Sequence, residues 1–230
     1  MITLFHHPFC PHSRFVRLAL NEYGIEPRLI EERPWERRRE FLLMSPEGAT
    51  PVLIEEDGPA IPGADVIAEY LDETRGFEMG ERRLMPDDAI GRMEVRRLTH
   101  WFNRKFFAEA SHWLVTEKIY KRFLSAGQGG GAPDMDSVRA ARANMRYHLR
   151  YIGHLIGARK WLAGDGLSYA DLAAAAHLSS VDYLGDATWA ENENAKAWYA
   201  RVKSRPSFRP LLSERLAGVA PSSTYADLDF

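Results

Sequence analysis

Cysteine is nearly absent: Cys10 is the single thiol in 230 residues. One thiol cannot close a disulfide within the chain, and it excludes an all-cysteine metal site and a dithiol redox cycle. There is no excess of either charge, since 30 Lys and Arg stand against 32 Asp and Glu for a net charge of −2. That balance argues against nucleic acid as a partner, because electrostatic binders carry surplus cations to displace counterions. No apolar run approaches the roughly 18 residues of a membrane-spanning helix, so no membrane insertion is expected. Residues 1–8 are too few and too polar for a secretory signal, which makes the cytoplasm the default compartment. The eight histidines show no metal-ligand spacing. His6 and His7 are neighbours on a predicted strand and point to opposite faces, so no metal is expected. The glycine run at 127–131 lacks the Lys-Ser/Thr ending of a phosphate loop and reads as a connector.

What remains is an ordinary globular composition, 45% apolar and 27% charged, long enough for one large domain or two small ones. The first 80 or so residues alternate strand and helix signals in the order β-α-β-α-β-β-α, which predicts a small α/β layer on a mixed sheet. Beyond Gly76 only helical periodicity is found. Pro86, Asp87 and Asp88 read as the start of a helix running to about Ser125. Val138, Ala141, Met145, Leu149, Ile152 and Leu155 mark a second long amphipathic helix. Ser168-Tyr169-Ala170-Asp171 resembles a capping box, and residues 172–184, apolar on all sides, are expected at the buried centre.

Three local features carry chemistry. Cys10-Pro11-His12-Ser13 lies between the first strand and the first helix, where free N–H groups and the helix dipole favour a thiolate; an inert, packed cysteine is the competing reading. Thr50-Pro51 opens a predicted strand, either as a cis peptide or as an ordinary trans proline. Trp35 stands beside the mixed-charge stretch Arg37-Arg38-Arg39; it is either an interface anchor or a ring packed under its own loop. The end of the chain, 217–230, is polar with isolated aromatics. Its alternation of acidic and apolar residues suits docking into a partner's groove, and equally an end folded back over its own domain.

Taken together, Phe9-Cys10-Pro11, Ser45-Pro46-Glu47-Gly48-Ala49-Thr50-Pro51-Val52-Leu53, Ile67-Ala68-Glu69-Tyr70-Leu71, Leu167-Ser168-Tyr169-Ala170-Asp171-Leu172 and Trp198-Tyr199-Ala200-Arg201-Val202 resemble the cytosolic glutathione transferase family in order along almost the whole chain. The resemblance implies a thioredoxin-like α/β domain over 1–77, a linker at 78–85, an all-helical domain over 86–216, a tail at 217–230, a cis bond at Thr50–Pro51 and a homodimer. Cys10 aligns with the catalytic Cys or Ser of the omega-like and tau-like branches. That leaves open a glutathione-dependent transferase or thioltransferase using Cys10.

One departure opposes that reading. The family's Glu-Ser pair, which holds the γ-glutamyl group of glutathione, falls on Gly63 and Ala64, and neither side chain can accept from an ammonium or donate to a carboxylate. Asp65 next to them replaces the acid in part and nothing replaces the hydroxyl. Each lost charge-assisted bond, roughly 1.5–3 kcal/mol, weakens glutathione by about tenfold or more. Cys10, Thr50, Pro51, Gly63, Ala64 and Asp65 are therefore expected to line a vestigial cleft, with weak or no glutathione and no catalytic residue. Leu4 to Arg14, the missing pair and the acidic-aromatic end are similar to the glutathione-transferase-like bacterial cell-division proteins. That likeness implies a non-enzymatic partner of FtsZ filaments at the division site. It casts Tyr225 and Phe230 as apolar anchors, Asp227 and Asp229 as charge, and Trp35 as a further contact.

Overall fold

The computed structural model describes residues 1–56 and 58–228. Four strands form one mixed sheet in the order β2-β1-β3-β4: β1 (Ile2–His6), β2 (Arg28–Glu31), β3 (Val52–Glu55) and β4 (Ile61–Pro62). β1 and β2 run parallel, with Leu4 opposite Leu29, which requires a crossover, and α1 (Pro11–Glu22) supplies it. β3 runs antiparallel to β1 and to β4. α2 (Arg39–Met44) leads toward β3, and α3 (Ala64–Arg75) closes the layer, burying Ile67, Ala68 and Leu71. The Thr50–Pro51 peptide is cis, the alternative the resemblance implies.

The second domain is helical. α4 (Ala89–His100) passes directly into a π-helical stretch, Trp101–Ser111, and then α5 (His112–Lys118). The sequence reading placed this helix from Pro86 to about Ser125. It begins later because the Asp88 carboxylate accepts from the Gly91 N–H at 2.8 Å and so caps it. It ends sooner, in a single 3-10 turn at Tyr120–Arg122. α6 (Met135–Ala158) and α7 (Tyr169–Tyr183) follow, then α8 (Glu193–Lys203) and the short α9 (Arg209–Leu212). Residues 217–228 form no further helix.

α7 is the centre of the molecule, and all fifteen of its residues are buried. Its capping box is formed: Asp171 accepts from the Ser168 N–H at 3.0 Å and from the Ser168 hydroxyl at 2.9 Å. The same carboxylate takes the Leu162 N–H and the Trp198 indole N–H, both at 2.9 Å, so this one acid ties the start of α7 to α8. α1 packs across α7, and two fully or nearly buried arginines join the domains. Arg14 donates to Pro8 O at 2.7 Å, Ser179 Oγ at 2.9 Å and Glu214 at 3.0 Å, and Arg17 donates to the other oxygen of Glu214. Among the described residues no helix is long and apolar enough to cross a membrane.

Candidate functional site

Cys10 is the N-cap of α1, followed by Pro11 in the first turn. The turn after β1 is closed by the Cys10 N–H donating to His7 O at 3.0 Å, and the thiol points to Thr50 O at 3.6 Å. A cleft of about 310 Å³ opens here, lined by Cys10, His12, Glu47, Thr50, Phe107 and Tyr120. Burial pushes the Cys10 thiol up. His12 beside it, together with hydrogen bonding from Ser13 and Thr50, outweighs that and brings it down to about 7. His12 also sits against the Asn103 carbonyl, 2.9 Å from Nε2, so its proton is placed on that nitrogen or shared as imidazolium. Burial disfavours the charged ring, yet the facing thiolate, the Asn103 carbonyl and Asp65 raise its pKa above the usual value.

Alkylation of Cys10 by iodoacetamide is therefore expected to rise with a midpoint near pH 7. Replacing His12 with Ala should move that midpoint upward by about a unit or more. Rates followed by mass spectrometry from pH 5.5 to 9.5 check this; a midpoint near 9 in the unaltered chain would contradict it.

Gly63, Ala64 and Asp65, expected to share this cleft, are not among the residues that line it. Gly63, the N-cap of α3, has φ 92°, a left-handed value where any side chain would be strained. Ala64 is buried. Asp65 is exposed but its Oδ1 accepts from Asn103 Nδ2 at 2.5 Å, so one of its oxygens is already engaged by the helical domain. Asn103, on the π-helical stretch, also accepts from the His177 Nε2–H at 3.1 Å through its own Oδ1. Among the described residues no group of three or more His, Cys, Asp or Glu is disposed to hold a metal ion.

A second feature adjoins the cleft. Trp35 lies in a single turn, Pro34–Glu36, and reaches across the domain boundary instead of packing under its own loop. Its ring stacks on Phe123 at 5.8 Å and 12° and meets Tyr120 at 5.2 Å and His7 at 5.3 Å. The Arg33 guanidinium lies 6.0 Å from the Phe123 ring centre, and Phe123 is 40% exposed. Next along the chain, Arg122 donates to Gly218 O at 3.2 Å, so the rim continues into the last segment. Trp35 and the start of the tail, distant in sequence, thus border one surface.

The tail itself corrects one expectation. Tyr225 is completely buried and cannot be an exposed anchor. Its ring sits edge-on against Tyr183 at 4.9 Å, within 5.9 Å of the Arg14 guanidinium, and its hydroxyl donates to Leu211 O at 2.5 Å. An aromatic with a satisfied hydroxyl gains more in that slot than in water. Asp227 remains exposed; Asp229 and Phe230 lie outside the described residues. Sequence reasoning missed His12, Asn103, Tyr120 and Phe123. The first is signalled by its place two residues after Cys10. The others give no local signal, because they act across the domain boundary.

A model of the glutathione S-transferase N-terminal domain matches residues 4–81, and a model of the C-terminal domain of the same family matches residues 134–215. The chain is 44% identical over 231 aligned residues to FtsZ-localized protein A of Caulobacter vibrioides, covering 99% of this chain and 98% of that protein. Among solved structures, it is similar to a glutathione S-transferase from Sinorhizobium meliloti 1021, with a TM-score of 0.98, 53% identity and full coverage of both chains. It is also similar to the structure of FzlA from C. crescentus, with a TM-score of 0.91, 44% identity and coverage of 100% of this chain and 99% of that one.

Proposed function

The chain belongs to the glutathione S-transferase family, and we propose that it is a non-enzymatic member, a scaffold that binds FtsZ filaments and regulates their organisation and curvature during constriction. The observation that carries the reading is full-length similarity to FtsZ-localized protein A. The start of α3 supports its non-enzymatic half: the Gly63 and Ala64 side chains offer no polar group to a γ-glutamyl moiety, and Asp65 is engaged by Asn103. A thiol without a held co-substrate has nothing to transfer. Function on such a fold lives in what is grafted onto it, here the aromatic rim of Trp35, Tyr120 and Phe123 together with the tail.

The scaffold works as a homodimer in the cytoplasm at the division site. Val66 on α3 and Ile90 and Met93 on α4 are exposed apolar side chains on neighbouring helices, and Phe77 follows at 90% exposure. Covering such a face with a second copy removes it from water and presents each rim twice, which lets one dimer bridge two filament subunits.

The test is co-sedimentation of the full chain with polymerised FtsZ. Pelleting with filaments, and none without GTP, is expected. The absence of pelleting at tens of micromolar would overturn the proposal. One observation favours a second reading, a thiol-dependent transferase: the Cys10 thiol is drawn down to about 7 inside a ligand-sized cleft. Calorimetry separates the two. Micromolar glutathione affinity would favour the enzyme, and no heat at millimolar glutathione the scaffold. A folded Cys10→Ala chain should still support division if the scaffold reading holds.

A further inference from the structure

α1 ends in a glycine turn that opens a cavity beside the sheet. The N–H of Gly24, at φ 70°, donates to Asn21 O at 3.1 Å, and the Ile25 N–H donates to Leu20 O at 2.9 Å. The chain then passes through Glu26 and Pro27 into β2, an edge strand of the sheet. Leu29 stands opposite Leu4 in the parallel register, so the two side chains share a face. Leu4 is fully buried, whereas Leu29, at the edge, is 43% exposed. Between α1, β2 and the Pro206–Phe208 turn lies a cavity of about 370 Å³, with Ile25, Pro27, Leu29, Pro206 and Pro210 as its apolar walls. It shares no lining residue with the Cys10 cleft.

Arg17 lines the same cavity from α1, although only 6% of the residue is exposed. Its Nη1 donates to Glu214 Oε1. The other oxygen of Glu214 serves the fully buried Arg14 at 3.0 Å, so one carboxylate is divided between two buried guanidiniums. Nε and Nη2 of Arg17 have no acceptor among the described residues. These two nitrogens form the side-on edge of a guanidinium, a pair of parallel N–H groups spaced like the two oxygens of a carboxylate. A charged donor pair held out of water without an acceptor is costly, and an anion that enters the cavity relieves that cost. Apolar walls around one charged group are the usual build of a small-ligand site. Glu26, an exposed part of the lining, repels a second negative charge and so disfavours a phosphate dianion.

We propose that the cavity between α1 and β2 binds a small monocarboxylate. Arg17 receives the carboxylate through Nε and Nη2, and the apolar body of the ligand rests on Leu29 and the three prolines. The site requires neither a filament nor the Cys10 thiol.

The experiment titrates phenylacetate and phenylacetamide into the full chain and follows the arginine Nε–H signals by NMR. The two probes have the same shape, but only the acid is charged. Phenylacetate is expected to shift the Arg17 Nε–H signal, which Arg17→Lys identifies by its loss. The amide should bind about tenfold or more weakly, because it cannot fill both donors with acceptors. Leu29→Glu places a carboxylate at the exposed wall and leaves the Arg17–Glu214 pair intact, so it serves even if Arg17→Lys does not fold. It should weaken phenylacetate by about tenfold or more and change the amide by less than about threefold. Phenyl phosphate should bind more weakly than phenylacetate, and Glu26→Gln should narrow that gap. Equal affinity for acid and amide, an acid affinity unmoved by Leu29→Glu, or phenyl phosphate binding as tightly as the acid overturns the proposal. So does the absence of any shift at about 20 mM phenylacetate, an affinity too weak for a charge-assisted fork.

Discussion

Replacing Trp35 and Phe123 together with Ala is expected to weaken co-sedimentation with FtsZ filaments by about thirtyfold, corresponding to roughly 2 kcal/mol of a hot-spot pair. Trp35 and Phe123 are stacked nearly parallel, 5.8 Å apart, on opposite sides of the domain boundary, so each is held in place before any partner arrives. A rigid aromatic surface loses little side-chain entropy on binding. Arg33 over Phe123 gives the patch a cationic edge, and Arg122 anchors the adjoining tail. The same substitution removes packing on Tyr120 and His7, so the melting temperature must be measured beside binding. Phe123→Ala alone, at a ring already 40% exposed, should cost little stability and still reduce binding severalfold. Leu43, 78% exposed on α2 and outside these ring contacts, serves as the control, and Leu43→Ala should bind normally. A folded double variant that pellets like the unaltered chain would remove the rim from the interface.

Why the rim was only half legible follows from how it is built. Cys10, Pro51 and the Ser168–Asp171 box announce themselves because their chemistry is local: a strand-to-helix junction, a strand opening, a cap. α7 is legible because it has no polar face at all, and its residues are buried throughout. Trp35 could be singled out as a ring among charges, but its partners Tyr120 and Phe123 come after α5 has ended, where helical periodicity no longer places side chains. The tail misled for the opposite reason. Tyr225 sits in a polar stretch, yet Tyr183, Arg14 and Leu211 O, contributed by three separate elements, build its slot. Arg14 and Lys203 are likewise buried where Glu214 and Asp182 reach them from distant parts of the chain. Local patterns therefore reveal the elements, while the surface that contacts a partner depends on which elements the fold brings side by side.

Acidification is expected to unfold the protein well before its carboxylates titrate. Burial is the leading reason that three histidines stay neutral: it lowers His6 to about 3, and His7 and His148 to about 4. Arg17 and Arg14 reinforce the effect at His6, and Arg14 and Arg33 do so at His7, whereas Glu109 opposes it at His148. Two of these rings also accept hydrogen bonds that protonation would break: Phe9 N–H to His7 Nδ1 at 3.3 Å, and the Trp101 indole N–H to His148 Nδ1 at 3.3 Å. In the unfolded chain each titrates near 6.5. Between that value and the native one the unfolded state binds more protons, so stability rises with pH and is lost as pH falls. Each group contributes at most about 1.4 kcal/mol per pH unit, so three together remove on the order of 5 kcal/mol between pH 6.5 and 5. His12, whose pKa is raised, offsets a part of this. Since a domain holds only about 5–15 kcal/mol in total, the urea midpoint at pH 5 should be far below that at pH 7, with cooperative acid unfolding between about pH 6 and 4.5. His148→Gln should flatten the profile, because an amide keeps a polar group in place of the ring and cannot charge. Equal urea midpoints at pH 7 and pH 5 in the unaltered chain would show that these rings do not hold the neutral form on which the pH dependence rests.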